Sequence, residues 1–319
     1  MTKKNMKHKL GIPYMGGKRK IAKNIVGYIR THNPNAKYFF DLFGGGGAIS
    51  FEAMQYKQFE KVHYNEFNTA VVNLLLKIRD EGISDEFYEW IDRDTFHTLK
   101  EGDSWKSGLV STCWSFGNNR EKGYLFGDEI EEPKRLLHEI VVNKCDVSRL
   151  KFQEMFLEID SDVFKLNTIE QRRLYIQNFL KKSGKRLDLQ QAERIQQLER
   201  LQQLQRLQRL QQLQQLQQLQ ITNLSYEKVE INTPLDETII YLDPPYENTA
   251  KYQKSIDYDF LNDWIKNSSY KIYVSSYEFD LPCVHEIRHS STLSATNNSK
   301  KVIERLFCNK QESINNKLF

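Results

Sequence analysis

Tyr38-Phe39-Phe40-Asp41-Leu42-Phe43-Gly44-Gly45-Gly46-Gly47-Ala48-Ile49-Ser50-Phe51-Glu52-Ala53-Met54 is the stretch that decides the fold. Its first six residues are a short apolar run of buried-strand type, and residues 48–54 suit a helix. Strand, glycine loop and helix in that order form the first half of a nucleotide-type α/β unit. The next strand-like run, Lys61-Val62-His63-Tyr64-Asn65, ends at Glu66. An acid at the tip of the second strand is where such units receive ribose hydroxyls. The loop is not a dinucleotide fingerprint, because Ser50 stands where the third glycine of G-x-G-x-x-G belongs. It also lacks the Lys-Ser/Thr pair of a P-loop. A ligand with a nucleoside but no phosphate chain to cradle fits this pattern, and S-adenosylmethionine (AdoMet) is such a molecule.

Upstream, Tyr14-Met15-Gly16-Gly17-Lys18 follows Pro13 as a loop. Residues 18–31 predict a helix, with Ile21, Ile25, Tyr28 and Ile29 on one face. Residues 68–80 predict another, built on Val71, Val72, Leu75 and Ile78. Far downstream, Thr238-Ile239-Ile240-Tyr241-Leu242 runs as a strand straight into Asp243-Pro244-Pro245-Tyr246. The two prolines remove two N–H donors and fix the backbone, so the sheet ladder stops there. What remains is a rigid bend carrying a carboxylate, free carbonyls and an aromatic face. Such a bend can hold a flat molecule bearing an amino group. Residues 230–232, 270–276, 284–290 and 301–308 also read as strands, and 259–266 as a helix.

The chain has 319 residues, enough for one large domain or one domain with a sizeable insertion. No apolar run reaches membrane-spanning length, and no signal-peptide core follows the basic N-terminus. Cys113, Cys145, Cys283 and Cys308 are scattered without a Cys-x-x-Cys pair, which fits a reducing cytoplasm. The net charge is only +4, but it is unevenly spread. Residues 1–23 hold eight Lys/Arg and no acid, and residues 171–220 hold ten against three acids. Two basic regions on an otherwise acidic chain suggest a polyanion contact.

Residues 81–130 mix aromatics with polar residues, among them Trp90, Phe96, Trp105, Trp114, Phe116, Tyr124 and Phe126. These can stack on bases or build the core of a small subdomain. Residues 133–220 read as mostly helical. Within them, 189–220 is a low-complexity tract with leucine at every third position from Leu198 to Leu219. Three residues turn an α-helix by about 300°, so the leucine stripe winds around the helix. The expectation is a long helix with no single buried face and not a heptad seam; its role is left open, a tolerated spacer being one reading.

Four motifs now stand in order: Pro-Tyr-Met-Gly-Gly-Lys at 13–18, Asp-Leu-Phe-Gly-Gly-Gly-Gly at 41–47, Asp-Pro-Pro-Tyr at 243–246 and Ser-Ser-Tyr at 275–277. The chain resembles the Dam-like (alpha-group) AdoMet-dependent DNA adenine-N6 methyltransferases over about 1–80 and 222–310. The resemblance implies a Rossmann-like α/β domain with a seven-stranded methyltransferase sheet, made of residues 1–80 and 222–319. A mostly helical target-recognition region, 81–221, is inserted between its halves. Thr112-Cys113-Trp114-Ser115-Phe116-Gly117-Asn118-Asn119 sits where members carry an aromatic and Asn-rich stretch.

Carried over by position, the resemblance implies that Tyr14, Gly16, Gly17 and Lys18 help enclose AdoMet. Asp41, Phe43, Gly44 and Gly46 lie under its methionine and ribose, and Glu66 receives the ribose hydroxyls, where members often have Asp. Asp243 lies between cofactor and base. Its carboxylate and the Pro244 carbonyl would accept from the adenine amine, with Pro245 completing the bend and Tyr246 stacking on the base. The implied reaction is a site-specific methyl transfer to adenine N6 in double-stranded DNA, with the base flipped out and no metal required. A cognate restriction endonuclease is a further partner the family allows. Lys181-Lys182-Ser183-Gly184-Lys185-Arg186 and the basic tail are candidates for phosphate contacts. Alternatives are RNA adenine, a protein amide, or a non-catalytic DNA-binding protein. Glutamine methyltransferases usually show Asn where Asp243 stands, which lowers the protein-amide alternative.

His285-Glu286-Ile287-Arg288-His289 spells H-E-x-x-H, the pattern of zinc proteases on a helix. Here the run is expected to be a late strand, where the two histidines would stand about 13 Å apart, too far for one zinc.

Overall fold

The computed structural model describes residues 11–118, 123–184, 202–210, 219–245, 256–291 and 300–310, with Gln196 and Leu198. The basic tail 1–10, Asn119, Lys185, Arg186 and Tyr246 therefore lie outside the described residues. Seven strands form one sheet: β1 (Tyr38–Asp41), β2 (Lys61–Asn65), β3 (Leu219–Thr222), β4 (Thr238–Leu242), β5 (Lys271–Ser276), β6 (Cys283–Ser291) and β7 (Lys300–Cys308). Their order is β3-β2-β1-β4-β5-β7-β6. The first five run parallel, and β7 lies antiparallel to both β5 and β6.

Strands of a parallel sheet covered on both faces read as unbroken apolar runs. In β4 all five residues are buried, and alternate side chains serve opposite cores. Ile239 and Tyr241 join one cluster with Phe39 of β1, while Ile240 and Leu242 join the other with Phe40. The first cluster is covered by α1 (Ala22–His32), α2 (Ala48–Ala53) and α3 (Thr69–Glu81). The second is covered by the helix Tyr258–Asn267 through Leu261 and Ile265.

From β1 the chain goes to β2 on one side and, much later, to β4 on the other. The sheet order reverses between β1 and β4, and a ligand crevice forms at such a switch point, past the carboxyl ends of the strands. The two motifs that organise the sequence, 41–47 and 243–245, lie directly past those two ends.

Between α3 and β3 the described elements are helical: a 3-10 turn at Asp85–Tyr88, α4 (Arg93–Leu99), α5 (Trp105–Cys113), α6 (Asp128–Asn143), α7 (Asp146–Met155), α8 (Ile169–Gly184) and the helix Gln202–Leu210. α5 lies tightly on α3, and Gly108 permits the approach. A Cβ there would sit 2.1 Å from the Ala70 carbonyl oxygen. Most aromatics of residues 81–130 form core: Phe96 and Trp114 are fully buried, and Trp90 stacks on Phe126 with centroids 5.6 Å apart. Phe116 differs, standing 58% exposed.

The leucine-glutamine tract departs from the spacer expectation in its described part. Leu204, Leu207 and Leu210 are all buried, and the helix packs against α5 and the 3-10 turn. Over nine residues the threefold stripe drifts by only about 120°, still one apolar face. Arg206 donates to the carbonyls of Cys113 (3.0 Å) and Ser115 (2.9 Å), closing the C-terminal end of α5. Lys134, itself buried, donates to the Leu198 carbonyl at 3.0 Å. The tract's last leucine, Leu219, already belongs to β3, paired with Val62. Leu207→Ala is expected to lower stability by about 2–5 kcal/mol in urea melts, as for other buried leucines. A spacer helix would lose almost nothing.

Two further expectations change. Residues 230–232 are not a strand; they follow the 3-10 turn Tyr226–Lys228 as an irregular connection. The basic region 171–220 is partly structural, since Arg172 is buried and donates to the carbonyls of Val141, Leu166 and Asn167. Lys181 and Lys182 are exposed at the end of α8. The H-E-x-x-H run is the strand β6, as expected, and the His285 ring stacks on Tyr28 at 4.4 Å. Among the described residues, no helix is long and apolar enough to cross a membrane.

Candidate functional site

A cavity of about 400 Å³ opens at the switch point, the size range of small-molecule sites. Tyr14, Gly16, Gly17, Lys18, Asp41, Phe43, Gly44, Gly46, Glu66, Asp243, Pro244 and Pro245 all line it. These are twelve of the thirteen residues singled out from sequence; the other is Tyr246, outside the described residues.

The glycine loop leaves β1 and turns beneath a strip of chain from the N-terminal side. Gly44 donates to the Asn65 carbonyl at 2.8 Å, and Ile12 donates to the Gly46 carbonyl at 2.9 Å. No side chain fits at Gly44, where a Cβ would lie 2.1 Å from the buried ring of Tyr64. The Tyr64 hydroxyl in turn donates to the Gly45 carbonyl at 2.7 Å, which fixes the loop's height. Asn65 ties the neighbouring tips together, donating to the carbonyls of Leu42 (3.1 Å) and Leu224 (3.0 Å).

Glu66 stands at the entrance to α3. Its carboxylate accepts from the Gly45 amide at 2.7 Å and the Asn68 amide at 2.9 Å. Burial raises its carboxyl above the ordinary range, and those amides together with that of Phe67 oppose the rise. Ser50, the residue that breaks the dinucleotide fingerprint, donates to Asp41 Oδ2 at 2.7 Å. Asp41 Oδ1 is buried with no hydrogen-bond partner among the described residues. Burial lifts the Asp41 carboxyl to about 7; Ser50 opposes this, and the charges of Asp243 and Glu66 add to it.

Lys18 crosses from the N-terminal strip into the site. Its ammonium is 2.7 Å from Asp243 Oδ1 and 3.6 Å from Glu304 Oε1. Lys18 is 7% exposed, so the contact is sheltered from solvent. Burial raises the Asp243 carboxyl to about 6, Lys18 pulls it down, and Glu304 pushes it up. Asp243 and Glu304 both lie within 4 Å of Lys18, and Asp41 and Glu66 line the same cavity. A cationic ligand suits that charge balance, and the partnerless Asp41 oxygen is a ready acceptor. AdoMet, with a sulfonium and an ammonium group, fits the donor set.

Sequence reasoning missed several cavity residues. Tyr226 lies edge to face with Trp264 and 5.3 Å from the Phe43 ring, so the Phe43 side of the cavity has an aromatic wall. Phe67 and Phe260 line the cavity while about half exposed. Ser111 and Asn118 enter from the helical segment. Both carry a buried oxygen without a partner among the described residues, and Asn118 holds a left-handed φ of 58°. The Asn-rich end of the Thr112–Asn119 stretch was the available signal, because Asn tolerates that conformation better than most residues.

Among curated proteins, none matches the chain. The family model of the D12 class N6 adenine-specific DNA methyltransferases matches residues 14–277. That span begins at Tyr14, takes in the glycine loop, Glu66 and Asp243, and ends just past β5. The sheet is the Rossmann-like α/β sheet of that family. The chain belongs to the D12 class of N6 adenine-specific DNA methyltransferases.

Proposed function

We propose that the protein transfers a methyl group from AdoMet to the N6 amine of a flipped-out adenine at a specific site in double-stranded DNA. The observation that carries this reading is the meeting of Asp243-Pro244-Pro245 with the glycine loop and Glu66 in one cavity, with Asp243 fixed by Lys18.

When bound, AdoMet supplies an activated methyl on a sulfonium, so the protein's task is alignment. Tyr14, Gly16 and Gly17 close the cavity from the N-terminal side, and Glu66 is positioned to accept from ribose hydroxyls. Asp41, Phe43, Gly44 and Gly46 form the floor. Asp243 has Oδ1 occupied by Lys18, which leaves Oδ2 to accept from the adenine amine together with the Pro244 carbonyl. Those two bonds draw the amine out of conjugation and free its lone pair. Taking the base out of the duplex costs roughly a few kcal/mol, offset by stacking in the pocket. Tyr246, which directly follows Pro245, is the stacking surface in this reading. The mostly helical segment between α3 and β3 serves as the target-recognition region, with Lys181 and Lys182 toward the phosphates. Binding that rests on such contacts weakens steeply with salt.

The pH dependence has a definite sign. A bound cation favours ionised carboxylates, and Asp41 and Asp243 titrate near 7 and 6. Binding therefore releases protons. AdoMet affinity is expected to fall by about tenfold or more from pH 8 to pH 6, since a unit of pH on one linked group is worth a factor of ten. Calorimetry in buffers of different ionisation enthalpy reads both the affinity and the released protons.

The reaction is tested with purified protein, methyl-labelled AdoMet and equal amounts of duplex DNA, RNA and a glutamine-containing peptide. Label on DNA adenine alone is expected. Label on RNA or peptide in preference to DNA would replace the substrate class, and no AdoMet-dependent rise in melting temperature would favour a non-catalytic binding protein.

A further inference from the structure

We propose that Glu304 is a positioning residue for methyl transfer: its buried carboxylate, held by Ser275, fixes the Lys18 ammonium against Asp243. The inference rests on the reading of Asp243 as the group that accepts from the adenine amine. Glu304 lies on β7, beyond the residues 14–277 that match the family model.

The geometry is a relay across three elements. Ser275, at the end of β5, donates to Glu304 Oε1 at 2.8 Å. The same oxygen is 3.6 Å from Lys18 Nζ, whose other carboxylate neighbour is Asp243 at 2.7 Å. Glu304 is 2% exposed and Ser275 fully buried. A buried carboxylate persists only when paired and hydrogen-bonded, and here Ser275 and Lys18 supply both conditions. The antiparallel course of β7 delivers it, since its early residues lie beside the carboxyl ends of the parallel strands.

A lysine is a point charge on a flexible four-carbon stem. With Asp243 as its one anchor, Lys18 would be free to follow the carboxylate. A second, rigidly held carboxylate on its far side fixes where the ammonium stands, and so which way Asp243 faces. The charged and titratable groups around Asp243 are Lys18, Glu304, Asp41 and the Tyr241 hydroxyl; His289 Nε2 stands 3.9 Å from Glu304 Oε2. Of these, Glu304 is the one whose charge pushes the Asp243 carboxyl upward most.

The test is the pH profile of kcat/KM for native protein, Glu304→Gln and Ser275→Ala on duplex DNA. The native profile is expected to fall below about pH 6, as Asp243 becomes protonated. Glu304→Gln removes the repelling charge, so its acid limb should move down by roughly half a unit to one unit, with kcat about tenfold lower. Ser275→Ala keeps the charge and loosens the clamp, so kcat should fall about threefold to tenfold while the limb stays in place. A folded Glu304→Gln protein with the native limb and native kcat would overturn the proposal. If Glu304→Gln does not fold, Ser275→Ala decides, and native kcat there would overturn it. If the native chain methylates no adenine at all, the underlying reading of Asp243 fails, which is a different outcome from an active native enzyme indifferent to Glu304.

Discussion

Asp243→Ala is expected to lower methyl transfer by about a hundredfold to a thousandfold, the scale on which removal of one preorganised polar group acts. The loss should appear in kcat in single-turnover assays. The variant should remain folded, because Lys18 keeps Glu304 as a carboxylate partner 3.6 Å away. It should also still bind AdoMet, since Glu66, the glycine loop and the Tyr14 strip are untouched. A folded variant that retains more than a tenth of native turnover would show that Asp243 is not the acceptor for the adenine amine.

The second large effect is on stability as well as activity. Lys18→Met keeps most of the side-chain volume and removes the ammonium that stands between Asp243 and Glu304. Breaking a buried pair by deleting one partner leaves an uncompensated charge and costs about 3–5 kcal/mol. The sign of the pH dependence follows. Without Lys18, the Asp243 carboxyl lies further above its unfolded value, so the folded state resists ionising it. The deficit against native protein should be greatest at pH 8 and shrink as the pH falls toward 5, below the native Asp243 value of about 6, where Asp243 is protonated in both folded proteins. Urea melts at the two pH values measure it. A deficit that does not change with pH would mean that Lys18 contributes packing and not charge.

Much of the site was legible because its residues sit at strand ends next to residues that stop strands. Asp41 and Asp243 each close an apolar run, and glycines or prolines follow each of them. Parallel strands in register then bring the two tips together without any information beyond the order of the elements. Ser50 looked like a defect in a glycine pattern; in the fold it is the hydrogen-bond donor to Asp41. The sequence carried no sign of that partnership, because it depends on the first turn of α2 coming back over the strand end.

Glu304 was illegible for a related reason. It lies 61 positions after Asp243, and the two share Lys18 only because β7 runs antiparallel. Ser111 and Asn118 reach the cavity through the docking of α5 on α3, a contact between side chains of no fixed spacing in the chain. Residues 230–232 show the opposite error. They read as a strand, but in the fold they belong to the irregular connection between the 3-10 turn Tyr226–Lys228 and β4. The repeat tract misled in another way. Its winding stripe has no single face over its full length, yet a segment of nine residues is short enough to bury three leucines together.

The most direct test is a nucleoside digest, read by mass spectrometry, of DNA from methylation-free cells expressing the native chain. N6-methyladenine in that DNA, absent from cells without the chain, is the predicted result. Folded protein in the cells with no N6-methyladenine in their DNA would contradict the assignment of this site to DNA adenine methylation.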